Sequence, residues 1–563
     1  MLFRFFYFLG VVCVSLILQS CIGLGINTNS KTPKKMARIP VFREQDSLKG
    51  FNNEFRSCFD VNHYDIHLSI NEKEESIKGF VTTTFKIVNQ TKKIQLDLDE
   101  QMVIDSIVQD QKKLTYTRKY TAVFIDLVST GSMQNVSVYY HGKPKHAKNP
   151  PWKGGFVWKK DKNGKPFVSV ACEGDGAQLW LPVKMYLGDE PDSVTTHYTV
   201  SKDLVAVSNG NLISVTEQGD KKTYTWKTSY LINPYNISLY VGDYKLIESS
   251  YTSVSGDPVK LSYYVLPYNY EKAIPHFMQV GKILKVYEEL FGSYPWTKDG
   301  YKLVESPFAG MEHQTAIAYG NGYKNEYKED FDYIILHETA HEWWGNAVSV
   351  ADFSDVWIHE GFATYAEALY IEKTKGYDAY LKYIEWHGMT VMNKKPVVGP
   401  KGVYYWNYKD GDPYMKGSVI LHSLRNQINH DTLFFSILKA FYRDFCYKTV
   451  TTSDFIALVN QMTGKDLTFF FNQYLYKRES PLLRWNCGYS ATGEYGVIYQ
   501  FDRVEKDFKT KIHMYQGGKV FVIIPSTTVQ FKKLSFPAKI PVYMNTRGTY
   551  LQDGFGKIPA EIE

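Results

Sequence analysis

The sequence predicts a multidomain α+β protein, and three observations carry that reading. Its 563 residues exceed what one hydrophobic core usually holds, so roughly two to four domains are expected. Apolar and polar residues alternate in short runs over the first half of the chain, then apolar residues recur at helical spacing, and alternation returns near the end. The expected order is an N-terminal β saddle or sandwich, a mainly helical middle domain and a small C-terminal β domain.

The first residues differ from the rest. Arg4 is followed by Phe5 to Leu9 and by Val11 to Leu18, an apolar run that is short for a membrane span and reads as a signal peptide over residues 1–20. It ends in Leu18-Gln19-Ser20-Cys21, which resembles the lipobox of bacterial lipoproteins. That resemblance implies lipid on Cys21 and an exported, membrane-anchored protein facing the periplasm or the cell surface. Residues 21–50, with Lys31, Lys34, Lys35 and Arg38 among Ser, Thr, Asn and Pro, read as a solvated tether.

The β domain is placed at residues 51–255, where strands are expected at Tyr64 to Leu68, Gly79 to Val88, Val136 to Tyr140 and Ile237 to Val241. Ser208-Asn209-Gly210-Asn211 reads as a hairpin turn. The period changes after Asp257-Pro258 and one further strand: Phe277, Val280, Ile283, Leu284 and Tyr287 mark a helix that ends at Gly292. The helical domain is placed at 256–480, with a cap at Thr452-Ser453-Asp454 and a buried helix from Leu467 to Leu475. Residues 481–563 form the C-terminal β domain, with strands at Val497 to Tyr499, Val520 to Ile524 and Ile540 to Tyr543.

Charge and cysteine usage exclude several functions. The formal balance of +6 is spread over 65 basic and 59 acidic residues without an arginine-rich helix, so nucleic acid is not an expected partner. Beyond the leader, Cys58, Cys172, Cys446 and Cys487 lack any Cys-x-x-Cys spacing and do not form a cysteine zinc site. One disulfide and free thiols both stay open.

His337-Glu338-Thr339-Ala340-His341 lies in a run without Gly or Pro, which should be helical and should place both histidines on one face. Two imidazoles so arranged reach one Zn²⁺ at about 2.0 to 2.1 Å, and Glu338 is placed to act as a base on water. Catalytic zinc needs a third protein ligand. Glu360, with eighteen residues between it and His341, is the candidate, because Gly345-Asn346 and the polar run Asp352 to Asp355 would end one helix and start another that returns to the metal. Glu367 and Asp355 are candidate partners for the zinc histidines.

Together these residues resemble the aminopeptidase N family of zinc peptidases, gluzincins in which an N-terminal β domain precedes a thermolysin-like catalytic domain. The resemblance covers most of the mature chain. Ala309-Gly310-Met311-Glu312-His313 is similar to the family's Gly-x-Met-Glu-Asn motif, which implies that Glu312 binds the free amino group of the substrate. Cys172 to Ala177 resembles the stretch that supplies a second group to that amine, with Glu173 in the matching position. Tyr414-Met415-Lys416-Gly417 resembles the family's Tyr-x-Lys-Gly element, which implies that Tyr414 donates to the oxyanion, and Tyr476 to Pro481 resembles the junction after the catalytic domain.

Three positions depart from the family pattern: Ala309 replaces glycine, and His313 and His359 stand where asparagine is usual. The short tail after Pro481 implies that the large helical domain of longer members is missing, leaving a more open cleft. The resemblance implies one Zn²⁺ and peptide substrates with a free N-terminus. Three readings follow: a zinc aminopeptidase, a zinc endopeptidase that ignores the amine, and a catalytically lapsed peptide-binding surface lipoprotein.

Overall fold

The computed structural model describes residues 41–129, 131–326, 331–405 and 408–558, so the leader, Cys21 and the basic cluster of Lys31 to Arg38 lie outside the described residues. In the first half, strand Phe59–Asn71 turns Tyr64, Ile66, Leu68 and Ile70 inward and His63, Asp65 and His67 outward, as the period of two requires. It pairs antiparallel with Ser76–Ile87 and parallel with Ser193–Ser201 near the middle of an eight-stranded sheet.

Smaller sheets of four and three strands accompany the large one. Buried aromatic donors tie the layers together: Tyr140 Oη donates to Trp180 O at 2.7 Å, Tyr198 Oη to Ser238 O at 3.2 Å and Trp226 Nε1 to Ala206 O at 3.0 Å. Each bond satisfies a polar group that would be costly to bury alone, so the layering is fixed by satisfaction as well as by apolar area.

Two details differ from expectation. Ser208 to Asn211 is a crossover between sheets, since Val205–Val207 pairs with Tyr240–Gly242 while Asn211–Gln218 pairs with Lys221–Lys227. The buried Asn209 amide holds it by donating to Asn236 O and Gln314 O. The expected tether of residues 21–50 ends in a packed helix, Glu44–Gly50. Gln95 Nε2 donates to Leu48 O at 3.1 Å, and a Cβ at Gly50 would stand 2.2 Å from the Tyr404 nitrogen.

The middle region begins with a mixed five-stranded sheet: Lys245–Thr252, Pro258–Val265, Tyr301–Glu305, Ile317–Tyr319 and the edge strand Gly310–Met311. A boundary at residue 256 therefore falls inside the hairpin of its first two strands. Five helices matter for the site: α1 (Gln279–Phe291), α2 (Tyr333–Ala340), α3 (Trp357–Lys375), α4 (Tyr377–Thr390) and α5 (Asp412–Ile428). Helix α3 is buried on all sides from Trp357 to Ile371, the mark of a helix at the centre of its domain.

The small C-terminal β domain holds one sheet of four strands and one of three. It docks through His422 Nε2 on Arg547 O at 2.9 Å and Tyr474 Oη on Tyr550 O at 2.8 Å. Cys58, Cys172, Cys446 and Cys487 are free thiols.

Helices α3 and α5 touch backbone to backbone. A Cβ at Gly361 would lie 2.9 Å from the Gly417 Cα, and one at Gly417 would lie 2.7 Å from the Gly361 Cα. No flexible side chain can yield there, so a methyl group must push the helices apart. Gly417→Ala is expected to cost about 1 to 3 kcal/mol of stability through overpacking at this crossing. Thermal unfolding checks this; an unchanged melting temperature would refute the role given to this contact.

Candidate metal centre and active site

Helix α2 starts from a firmly held cap. Asp332 Oδ1 accepts from the backbone N–H of Ile334 at 2.9 Å, and its other oxygen accepts from Tyr319 Oη at 2.7 Å and pairs with His276 Nε2 at 2.8 Å. The helix carries His337 and Glu338 and ends with His341 as its C-terminal cap residue. Chain reversal through Gly345, at φ +123°, and a short strand, Val348–Val350, leads to α3, which returns Glu360 to the histidines.

The three donors converge as a tetrahedral metal site demands. His337 Nε2 is 3.2 Å from His341 Nε2, and Glu360 Oε2 is 3.5 and 3.3 Å from those two nitrogens. Ligand atoms held about 2.0 to 2.1 Å from a tetrahedral zinc ion stand roughly 3.3 to 3.4 Å apart, so the spacing matches. The Nδ1 atoms are already engaged: His337 donates to Glu367 Oε1 at 2.6 Å and His341 to Trp344 O at 2.8 Å. Both Nε2 lone pairs then face each other, and the buried Glu360 Oε2 has no hydrogen-bond partner among the described residues. A cation satisfies all three donor atoms at once, and the residues present fit one Zn²⁺.

Of the two candidate histidine partners, Glu367 takes that role and Asp355 does not. Asp355 accepts from Thr452 Oγ1 instead, at the start of another helix, and the carbonyl of Trp344 serves His341. Glu367 lies seven residues after Glu360, two turns along the same face of α3.

Three more carboxylates crowd the centre. Glu338 is 7% exposed, Glu312 3% and Glu173 1%, and donor atoms of Glu312, Glu338 and His341 fall within 4.8 Å of one another. Burial pushes the Glu338 carboxyl up to about 8 against the pull of His337 and His341, and Glu312 and Glu360 add to the rise. Burial likewise raises Glu173, reinforced by the charges of Glu312 and Glu360. Positive charge at the donor cluster reverses these shifts. At Gly310 the edge strand presses on α2, where a Cβ would stand 2.5 Å from Glu338 Oε1.

Glu312 follows that edge strand, with Oε1 accepting from Tyr235 Oη at 3.2 Å and its carbonyl from Asn346 Nδ2 at 2.9 Å. Glu173 arrives from the N-terminal β domain, just after strand Pro166–Ala171, and its Oε1 has no hydrogen-bond partner among the described residues. Tyr414, in the first turn of α5, stacks its ring on His337 at 6.1 Å and accepts at Oη from Trp152 Nε1 at 3.3 Å. Burial and the charges of Glu360 and Glu173 push its phenol far up, so it stays a donor.

All seven site residues expected on the described chain therefore come together. Sequence reasoning missed Tyr235 and Trp152, lone aromatics in turns. Of the departures, Ala309 is exposed, His359 Nε2 accepts from Val350 N–H at 3.0 Å and His313 Nδ1 meets Tyr240 Oη at 2.6 Å, while His359 Nδ1 and His313 Nε2 are buried with no hydrogen-bond partner among the described residues.

Glu367→Ala is expected to weaken zinc binding by about 10- to 100-fold, whereas Asp355→Asn should leave it unchanged. Competition with a chelator measures both; equal affinity in the Glu367 variant would refute its place behind His337.

Residues 60–235 match the Peptidase M1 N-terminal domain and residues 276–474 the Peptidase family M1 domain. Leucine aminopeptidase 2 of Vanderwaltozyma polyspora is 26% identical over 433 residues, 70% of this chain and 62% of that protein. Aminopeptidase 2 of Candida albicans is 24% identical, over 72% of this chain and 46% of that protein. Leukotriene A-4 hydrolase of Xenopus laevis is 24% identical, over 54% and 52% respectively. The chain thus spans 46% to 62% of the length of these relatives. The crystal structure of an M1 zinc metallopeptidase mutant from Deinococcus radiodurans, bound to a Tyr-Ser-Ala substrate, shares the fold, with a TM-score of 0.64 at 22% identity over 77% of this chain and 98% of that one. Because both domain models match in order, and the segment the second covers brings His337, His341 and Glu360 together, this chain belongs to peptidase family M1.

Proposed function

We propose that the chain is a zinc aminopeptidase that releases N-terminal residues from peptides. The carrying observation is the pair Glu173 and Glu312, buried beside the metal donors, with Glu173 Oε1 lacking a hydrogen-bond partner among the described residues. An ammonium group satisfies such carboxylates, whereas an uncharged mid-chain peptide nitrogen leaves them buried and unpaired. Substrates are therefore selected by their free N-terminus.

Zinc held by His337, His341 and Glu360 supplies Lewis acidity to the carbonyl and to water. Glu338 takes the proton of the attacking water and returns it to the leaving amine. Tyr414 donates its hydroxyl proton to the developing oxyanion, and Trp152 orients that hydroxyl through its oxygen. Glu173 and Glu312 hold the ammonium and so place the first peptide bond at the base.

We also infer that lipid on Cys21 tethers the protein outside the cell's inner membrane, at the periplasmic or outer surface, as Leu18-Gln19-Ser20-Cys21 supports.

Hydrolysis of one peptide, free and acetylated at its N-terminus, tests the activity. Chelator-sensitive release of the first residue from the free form alone is expected. Internal cleavage of both forms would mean an endopeptidase, and failure to cut either with zinc bound would mean a binding protein. Glu338→Gln should keep zinc and lose about 10²- to 10⁴-fold in kcat. For the tether, Cys21→Ala should abolish fatty-acid labelling and release the protein from membranes; a labelled variant would overturn it.

A further inference from the structure

The bond from His337 Nδ1 to Glu367 Oε1 uses only one oxygen of that carboxylate. The other oxygen, Oε2, accepts from the hydroxyl of Tyr383, which comes from the next helix, α4. Glu367 is 1% exposed and Tyr383 7%, so water does not compete for either bond. Burial, and then the charge of Glu367, push the Tyr383 phenol far up, which keeps its proton in place to donate. A chain of contacts therefore leads outward from the metal donors through His337 and Glu367 to Tyr383.

The second bond has a mechanical consequence. A glutamate carboxylate turns easily about its last bond, because that torsion has a broad, roughly two-fold profile. One donor fixes one oxygen and leaves the plane free to swing; a donor on the far oxygen fixes the plane. The tyrosine ring is itself held, since it meets the His387 ring edge-on at 4.5 Å and the Trp386 ring at 5.6 Å. His387 is fully buried, and its Nδ1 lies 3.0 Å from Ser418 Oγ on α5, one turn beyond Tyr414. Helix α4 thus braces the carboxylate that sets His337 and is tied to the helix that carries Tyr414.

We propose that Tyr383 is a positioning residue of the metal centre: its hydroxyl holds the Glu367 carboxylate in the plane that orients His337, and so contributes to zinc affinity. It acts through Glu367 and not on the metal itself. The inference rests on zinc held by His337, His341 and Glu360. Without the hydroxyl, Glu367 Oε2 is a buried acceptor that has lost its donor, and the carboxylate turns to find another. His337 then samples orientations that miss the metal.

The test is zinc affinity, measured by chelator competition, in a double-mutant cycle of Tyr383→Phe and Glu367→Ala. Tyr383→Phe is expected to weaken zinc binding about 10-fold. In the Glu367→Ala background the same change should alter affinity by less than about 2-fold, because its route to the metal is already gone. Tyr365→Phe serves as the control, since Tyr365 Oη lies 3.0 Å from Tyr380 Oη and bonds across the same two helices, α3 and α4, to that hydroxyl instead of to Glu367. It should leave zinc affinity unchanged. Equal affinity in wild type and Tyr383→Phe overturns the proposal. A loss that is the same with and without Glu367, or that Tyr365→Phe reproduces, also overturns it, because the effect then comes from helix packing alone. A wild-type enzyme that binds no zinc overturns the metal centre and the proposal together.

Discussion

Glu173, Glu312, Glu338 and Glu360 surround two imidazole nitrogens 3.2 Å apart, and none of the four is more than 7% exposed. Removing one ionised carboxylate from water costs several kcal/mol even after relaxation, and neighbouring like charges repel as well. Among the described residues no lysine or arginine forms an ion pair with any of the four. The protein therefore carries a buried deficit of positive charge. A divalent ion at three donors offsets part of it, and a cationic group at Glu173 and Glu312 offsets more. Burial that would be a liability in a structural core becomes the source of affinity for both.

Such a cluster persists only if its scaffold prevents relaxation. The donors arrive from α2, α3, an edge strand and the N-terminal β domain, and each approach is stiffened close to the site. Asp332 anchors the start of α2, Gly310 lets the edge strand press against Glu338, and Gly361 and Gly417 bring α3 and α5 into backbone contact. Glycine is required at the last two positions because a ligand and a proposed oxyanion donor sit within a turn of the crossing. The β domain contributes Glu173, Trp152 and Tyr235, so the pocket for an ammonium group exists only when the two domains meet. In physical terms, recognition of the chain end is a property of that docking, whereas the metal donors belong to the helical domain alone.

The sequence showed the metal centre better than its surroundings. His337 and His341 are legible because helical geometry places residues four apart on one face, and Glu367 because it repeats seven residues after Glu360 on a continuous helix. Asp355 misled because proximity in sequence to Glu360 says nothing of direction: it lies before α3 and reaches Thr452. Trp152 and Tyr235 were invisible, since each acts from a turn in a different domain and nothing local separates it from 10 other tryptophans or 43 other tyrosines. Ser208 to Asn211 failed for a related reason. Its turn chemistry was read correctly, but which strands it joins is decided by the tertiary bonds of Asn209.

His313 shows how the departures fit the same constraint. It sits beside Glu312 where the family pattern has an uncharged asparagine, and a protonated imidazole there would place a resident cation next to the carboxylate that is to receive the substrate's amine. Burial pushes its pKa down to about 3, so the ring is neutral near neutral pH, and its Nδ1 is occupied by Tyr240 Oη. A neutral histidine offers one donor and one acceptor; Nδ1 uses one with Tyr240 Oη, and the buried Nε2 has no hydrogen-bond partner among the described residues. The substitution thus changes shape and leaves charge alone, and the deficit at Glu173 and Glu312 is preserved for a ligand from outside.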